Sequence, residues 1–159
     1  MAYHAVIYKL LLWGLVRTTF AQLSNSTSGT AKTQQSWECC KPSCAWRGKA
    51  DVNQPAQSCG LNSMPLTDFD LGTACNGGDA YMCANQSPWA VNDTFSYGFA
   101  GAYIAGYLED NWCCGCYDLT FTDEQLQGKK MIVQVQNTGY DKAMGTKFIL
   151  SVSLKQNNL

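Results

Sequence analysis

Glu38 stands between Trp37 and Cys39 in the run Trp37-Glu38-Cys39-Cys40-Lys41-Pro42-Ser43-Cys44-Ala45-Trp46. Three cysteines, a carboxylate, a lysine and two tryptophans in ten residues exceed what an ordinary buried core requires. A carboxylate on a backbone that crosslinks can fix is suited to proton transfer. Aromatic rings beside it can stack on flat apolar faces while costing little side-chain entropy. A second cluster of acidic groups lies at Asp68 and Asp70, and Asp141 follows Thr138-Gly139-Tyr140.

All nine cysteines fall between Cys39 and Cys116. Cys39-Cys40 and Cys113-Cys114-Gly115-Cys116 look superficially like metal ligands, but adjacent cysteines lack the two-residue spacer of zinc sites. The chain's one histidine, His4, lies in its first segment. No metal and no cofactor are expected. That first segment has a weakly basic start, the apolar run Leu10 to Val16 and a small-residue end at Ala21. This is the pattern of a secretory signal over residues 1–21, too short for a spanning helix. The remainder is expected to be secreted and extracellular, where disulfides form. Losing Lys9 and Arg17 takes the net charge from −1 to −3. A mildly acidic surface argues against nucleic acid and anionic membranes and leaves neutral polysaccharide allowed.

Residues 22–36 are rich in Ser, Thr and Gln, with too little apolar surface to offset the entropy of ordering, and read as a flexible arm. Asn25 and Asn92 head glycosylation sequons. Residues 37–159 form the domain. From Cys39 to Cys83 the chain reads as loop, punctuated by Pro42, Pro55, Pro65 and Gly77-Gly78. Phe95, Phe99 and Tyr103 recur every four residues behind Asn92 and Asp93, which predicts a helix to Ala105 whose aromatics are core. Strands are predicted over Tyr117 to Phe121, Met131 to Gln136 and Lys147 to Leu154, the second alternating Met131, Val133 and Val135 against more polar neighbours.

The Trp37 to Trp46 run resembles a motif of the family 45 glycoside hydrolases, secreted endoglucanases that cut β-1,4-glucan with two carboxylates. The resemblance continues in family order through Val52-Asn53-Gln54-Pro55, Leu66-Thr67-Asp68-Phe69-Asp70, Ser87-Pro88-Trp89-Ala90-Val91-Asn92-Asp93, Trp112-Cys113-Cys114-Gly115-Cys116-Tyr117 and Gly128-Lys129-Lys130-Met131. It implies a mainly β fold: a six-stranded β-barrel of double-psi type, here partial, with long disulfide-bound loops and one short helix, incomplete at its C-terminus. It also implies the pairs Cys40–Cys75, Cys44–Cys113 and Cys59–Cys83, with Cys39, Cys114 and Cys116 left over. By the same resemblance Glu38 occupies the general-base position, where the family has Asp, and Asp141 that of an auxiliary carboxylate. Trp46 becomes a sugar-stacking platform and Lys41 a hydrogen-bond donor in the groove. Thr67 to Asp70 has no role in cleavage and reads as loop architecture.

Inversion at a glycosidic carbon needs an acid and a base on opposite faces, roughly 6.5 to 9.5 Å apart. The family's acid follows a Phe, whereas Ile149 follows Phe148 here, and no Asp or Glu occurs after Asp141. Gln34-Gln35-Ser36 replaces the family's Thr-Arg-Tyr. The expected protein is a monomeric, cofactor-free β-1,4-glucanase acting on cellulose or a related glucan. The alternatives are a catalytically inactive, expansin-like carbohydrate binder or truncated isoform, and a cysteine-rich secreted effector or inhibitor on the same scaffold.

Overall fold

The computed structural model describes residues 28–139 and 145–152. The predicted signal segment and Asp141 lie outside the described residues. Six strands build one sheet: β1 (Lys32–Ser36), β2 (Trp89–Asn92), β3 (Phe95–Tyr103), β4 (Cys116–Thr120), β5 (Lys130–Thr138) and β6 (Lys147–Ser151). A single helical turn, α1 (Glu109–Trp112), precedes β4. The strand order is β1-β6-β3-β5-β4, with β2 paired to the opening residues of β3. Pairing is parallel for β1 with β6 and for β3 with β5, and antiparallel elsewhere. The outermost strands, β1 and β4, are not bonded to each other but line one cavity of about 840 Å³, so the sheet curls into a partial barrel.

The alternation in β5 works as predicted. Met131, Val133 and Val135 are buried and meet Ala100 and Ala102 of β3, Phe148 of β6, Trp112, and the crosslinked Cys44 and Cys113. Small residues on β3 let the sheets of side chains close up. A Cβ on Gly98, for instance, would stand 2.3 Å from Met131 Cε.

The helix predicted behind Asn92 does not form: this stretch is a hairpin of β2 and β3. A four-residue spacing is close to one helical turn of 3.6 and is also twice the strand period of 2, so it equally keeps Phe95, Phe99 and Tyr103 on one side of a strand. Asn92 does not cap a helix. Its Oδ1 accepts from Thr94 N at 2.9 Å and Thr94 Oγ1 at 3.0 Å, closing the turn. Phe95, Phe99 and Tyr103 are half-buried rather than core, with Tyr103 packed against the core cluster, and beside them Trp89 stacks on an exposed Tyr97 with ring centroids 5.7 Å apart.

The predicted arm is likewise corrected over Lys32–Ser36, which pairs residue for residue with Lys147–Ser151. These side chains are almost all exposed. Backbone hydrogen bonds to an existing sheet edge hold the strand, and they need no apolar side chains.

The segment from Cys39 to Cys83 carries two short helical turns and isolated bridges, and crosslinks hold it. Disulfides join Cys40 to Cys75, Cys44 to Cys113 and Cys59 to Cys83, the pairs that the resemblance implies, and Cys39, Cys114 and Cys116 are free. Cys44–Cys113 and Cys59–Cys83 are both buried, and Cys44–Cys113 ties the loop layer to the sheet's core. Replacing both Cys44 and Cys113 with Ala is expected to cost about 2 to 5 kcal/mol in urea unfolding. Cys116→Ser, at an exposed free thiol, should change stability by less than about 0.5 kcal/mol.

Candidate functional site

The site is built on one irregularity in β5. Val135 pairs with Ala100 and Asn137 with Gly101, so Gln136 is an extra residue with no partner on β3. Strict alternation would send Asn137 inward with Met131, Val133 and Val135. The bulge reverses its side, as bulges do where a side chain must be re-aimed. Gly101 pairs in turn with Ile149 of β6, and Ile149 with Gln34 of β1. Cross-strand partners share a face, so Gln34, Ile149, Gly101 and Asn137 form a row over four adjacent strands.

Glu38 lies two residues beyond the end of β1 and reaches over this row, where Asn137 Nδ2 donates a hydrogen bond to Glu38 Oε2. Glu38, Gly101, Asn137 and Ile149, with Met82 and Ser36 at the rim, surround a hollow of about 10 Å³, the space of roughly one water. Gly101 contributes no side chain, which leaves the floor open. Position 149 is two strands from Asn137, about 10 Å at the usual strand spacing. Glu38 and Ile149 both line this hollow.

A second carboxylate, which the sequence did not single out, lies beneath. Glu109 Oε1 accepts from Thr138 Oγ1 at 2.6 Å and Glu109 Oε2 from Lys49 Nζ at 2.9 Å. Ser43 Oγ donates to Thr138 Oγ1 at 3.1 Å, and Trp112 Nε1 approaches the same oxygen at 3.3 Å. Burial pushes the Glu109 carboxyl up, but hydrogen bonds from Thr138, Lys49 and Ser43, with the Lys49 charge, outweigh it and hold it below its ordinary value. Asn137 joins the two carboxylates' surroundings, because its Oδ1 accepts from Ser43 N at 2.9 Å and Thr138 N at 3.0 Å. Asn137 and Thr138 immediately precede Gly139. The bulge that aims them leaves no mark in residue types.

Lys41 is not the groove donor expected of it. It is buried, its Nζ donates to Phe69 O at 2.6 Å and Leu71 O at 2.9 Å, and it lies 3.4 Å from the centroid of Trp46. Desolvation pushes its pKa down, against the opposing pull of Asp70 and Asp68. Lys41 thus fastens the Asp68 to Leu71 loop and fills one face of the half-buried Trp46 ring. Thr67 to Asp70 is loop architecture in fact: Phe69 is buried and Asp70 makes an exposed ion pair with Arg47 at 3.4 Å. Among the described residues two groups come within metal-ligating reach, Cys39 with Cys40 and Cys75, and Glu109 with Cys44 and Cys113, but each contains a complete disulfide pair. Disulfide sulfurs are not thiolates. Among the described residues no helix is long and apolar enough to cross a membrane.

The model of the family described as Glycosyl hydrolase family 45 matches residues 28–152. A putative endoglucanase type K from Fusarium oxysporum is 52% identical over 118 residues, which is 74% of this chain and 31% of that protein. An endoglucanase of Cryptopygus antarcticus is 47% identical, over 72% of this chain and 51% of its own length. The crystal structure of a cellulase from that Antarctic springtail superposes with a TM-score of 0.73 at 45% identity, covering 79% of this chain and 60% of the springtail chain. The chain thus spans about a third to a half of the length of these curated relatives.

The depressed Glu109 carboxyl has a consequence for acid stability. Its ionised form is favoured by folding, so its contribution is fully present above the unfolded value near 4.5 and fades as pH falls through the lower folded value. Urea unfolding from neutral pH down to about pH 3 should therefore show a smaller acid-dependent loss in Glu109→Gln than in the parent protein. Equal losses in the two would contradict this account of the network.

Proposed function

The chain belongs to glycosyl hydrolase family 45, and on that premise we propose that it is a secreted, inverting endo-β-1,4-glucanase scaffold whose substrate is cellulose or a related glucan. What supports the reading is that Glu38 and position 149 line one hollow. Glu38 removes a proton from a water as the water oxygen bonds to the anomeric carbon. On the far face the glycosidic C–O bond would break, and the leaving oxygen would need a proton from an acid at position 149, which Ile149 does not supply. Asn137, which bonds Glu38, lies about 10 Å from position 149 at the usual strand spacing, of the same order as the 6.5 to 9.5 Å between the acid and base of an inverting site. Trp46, its inner face against Lys41, offers its outer face to the C–H face of a sugar ring. The acidic chain is neutral towards such a substrate. Three disulfides fit an oxidising, extracellular destination.

Ile149 favours a second reading. A hydrocarbon has no proton to give, and it stands where the far-face acid belongs. In this reading the protein holds glucan through its platform and base-side groups with little turnover.

Release of reducing ends from soluble β-glucan, measured beside pull-down on cellulose, separates the two. Ile149→Asp is expected to raise kcat by about 10² to 10⁴, the usual contribution of a placed general acid, and Glu38→Gln should abolish that gain. Glucan binding without release by the parent chain fits the second reading. Brisk hydrolysis by the parent chain that survives Glu38→Gln would remove Glu38 from its role.

A further inference from the structure

We propose that Asn137 is a positioning residue for Glu38, placed by the bulge in β5; the proposal rests on the reading of Glu38 as the base. Glu carries three rotatable side-chain bonds, and an exposed one samples many rotamers. Glu38 is exposed and projects from a loop just beyond β1, so packing alone does not choose its rotamer. The hydrogen bond from Asn137 Nδ2 does.

The direction of that bond is itself fixed. Asn137 Oδ1 lies within 3.0 Å of two backbone N–H donors, those of Ser43 and Thr138. Turning the amide over would set its NH₂ against both donors and its carbonyl oxygen against a carboxylate, leaving no partner satisfied. The amide must therefore present its N–H groups to Glu38. Ser43 cannot drift, since it opens the helical turn that contains Cys44 and its Oγ is tied to Thr138. Thr138 is anchored to Glu109. The chain of contacts runs from the buried core to one face of the base, and leaves the other carboxylate oxygen towards the hollow.

Side-chain NMR reads this contact without relying on turnover. At one neutral pH the Asn137 Nδ2 proton resonances of the parent protein should differ from those of Glu38→Ala, which removes the acceptor. Resonances that coincide in the two proteins overturn the proposal. The kinetic arm uses the Ile149→Asp chain. There Asn137→Ala is expected to lower kcat about tenfold to a hundredfold, the effect of a misplacement near 1 Å, with KM within about twofold. Asn137→Asp, similar in size but without the donors, should lose as much. An unchanged kcat, or a loss confined to KM, overturns the positioning role. If Ile149→Asp releases no reducing ends, the hydrolase reading fails, and the NMR comparison still decides whether Asn137 holds Glu38.

Discussion

One extra residue in β5 sets the geometry of everything above it. Gln136 interrupts the ladder between Val135 and Asn137, and the sides of the strand exchange at that point. Up to Val135 the strand serves the core, with Val133 and Val135 wholly buried. Beyond it the strand serves the upper surface. A regular strand would have hidden Asn137 among Ala100, Ala102 and Phe148, where its amide would need partners that apolar side chains cannot supply. Gln136 takes the inward-leaning place instead, buried and within 3.5 Å of Ser151 Oγ.

The loops and the sheet depend on one another through few connections. Cys44–Cys113 links the loop layer to the turn before β4, and Ser43 and Thr138 link it to β5. Lys41 holds a second loop from inside by two carbonyls and an aromatic face. Burying an ammonium is costly unless its donors are used, and here two carbonyls and a ring use them. A lysine written into a conspicuous motif thus shapes a platform from below.

The parts legible in the sequence were those set by alternation and by crosslinking. Met131, Val133 and Val135 announce an inward face, and the density of cysteines with Pro42, Pro55 and Pro65 announces a loop region held by disulfides. The hairpin at Asn92 was misread because aromatics four apart satisfy strand and helix alike, and because an Asn before Asp93-Thr94 can cap a helix or close a turn. Lys32–Ser36 was missed for a different reason: its strand is dictated by the edge of β6, and nothing in Lys-Thr-Gln-Gln-Ser records that edge. Glu38 was visible as a residue type beside two tryptophans. Its partner Asn137 was not, since a bulge is decided by tertiary pairing. Glu109 looked like an ordinary acid between Leu108 and Asp110, and only the approach of Thr138 and Lys49 distinguishes it.

The covalent ties all fall between Cys40 and Cys113. The two strands that bear Asn137 and Ile149 come later in the chain, and β6 is anchored to its neighbours by hydrogen bonds and by Phe148 alone among its buried apolar side chains. Cooperative units with the fewest anchors open first. The crosslinked layer would therefore stay folded through excursions in which β6 and β1 separate from β3, with amide protons of Phe148 to Leu150 exchanging ahead of those of Val133 and Val135. The row of Gln34, Ile149, Gly101 and Asn137 is thus assembled on the more easily opened half of the molecule, while the half that is locked shut supplies its walls.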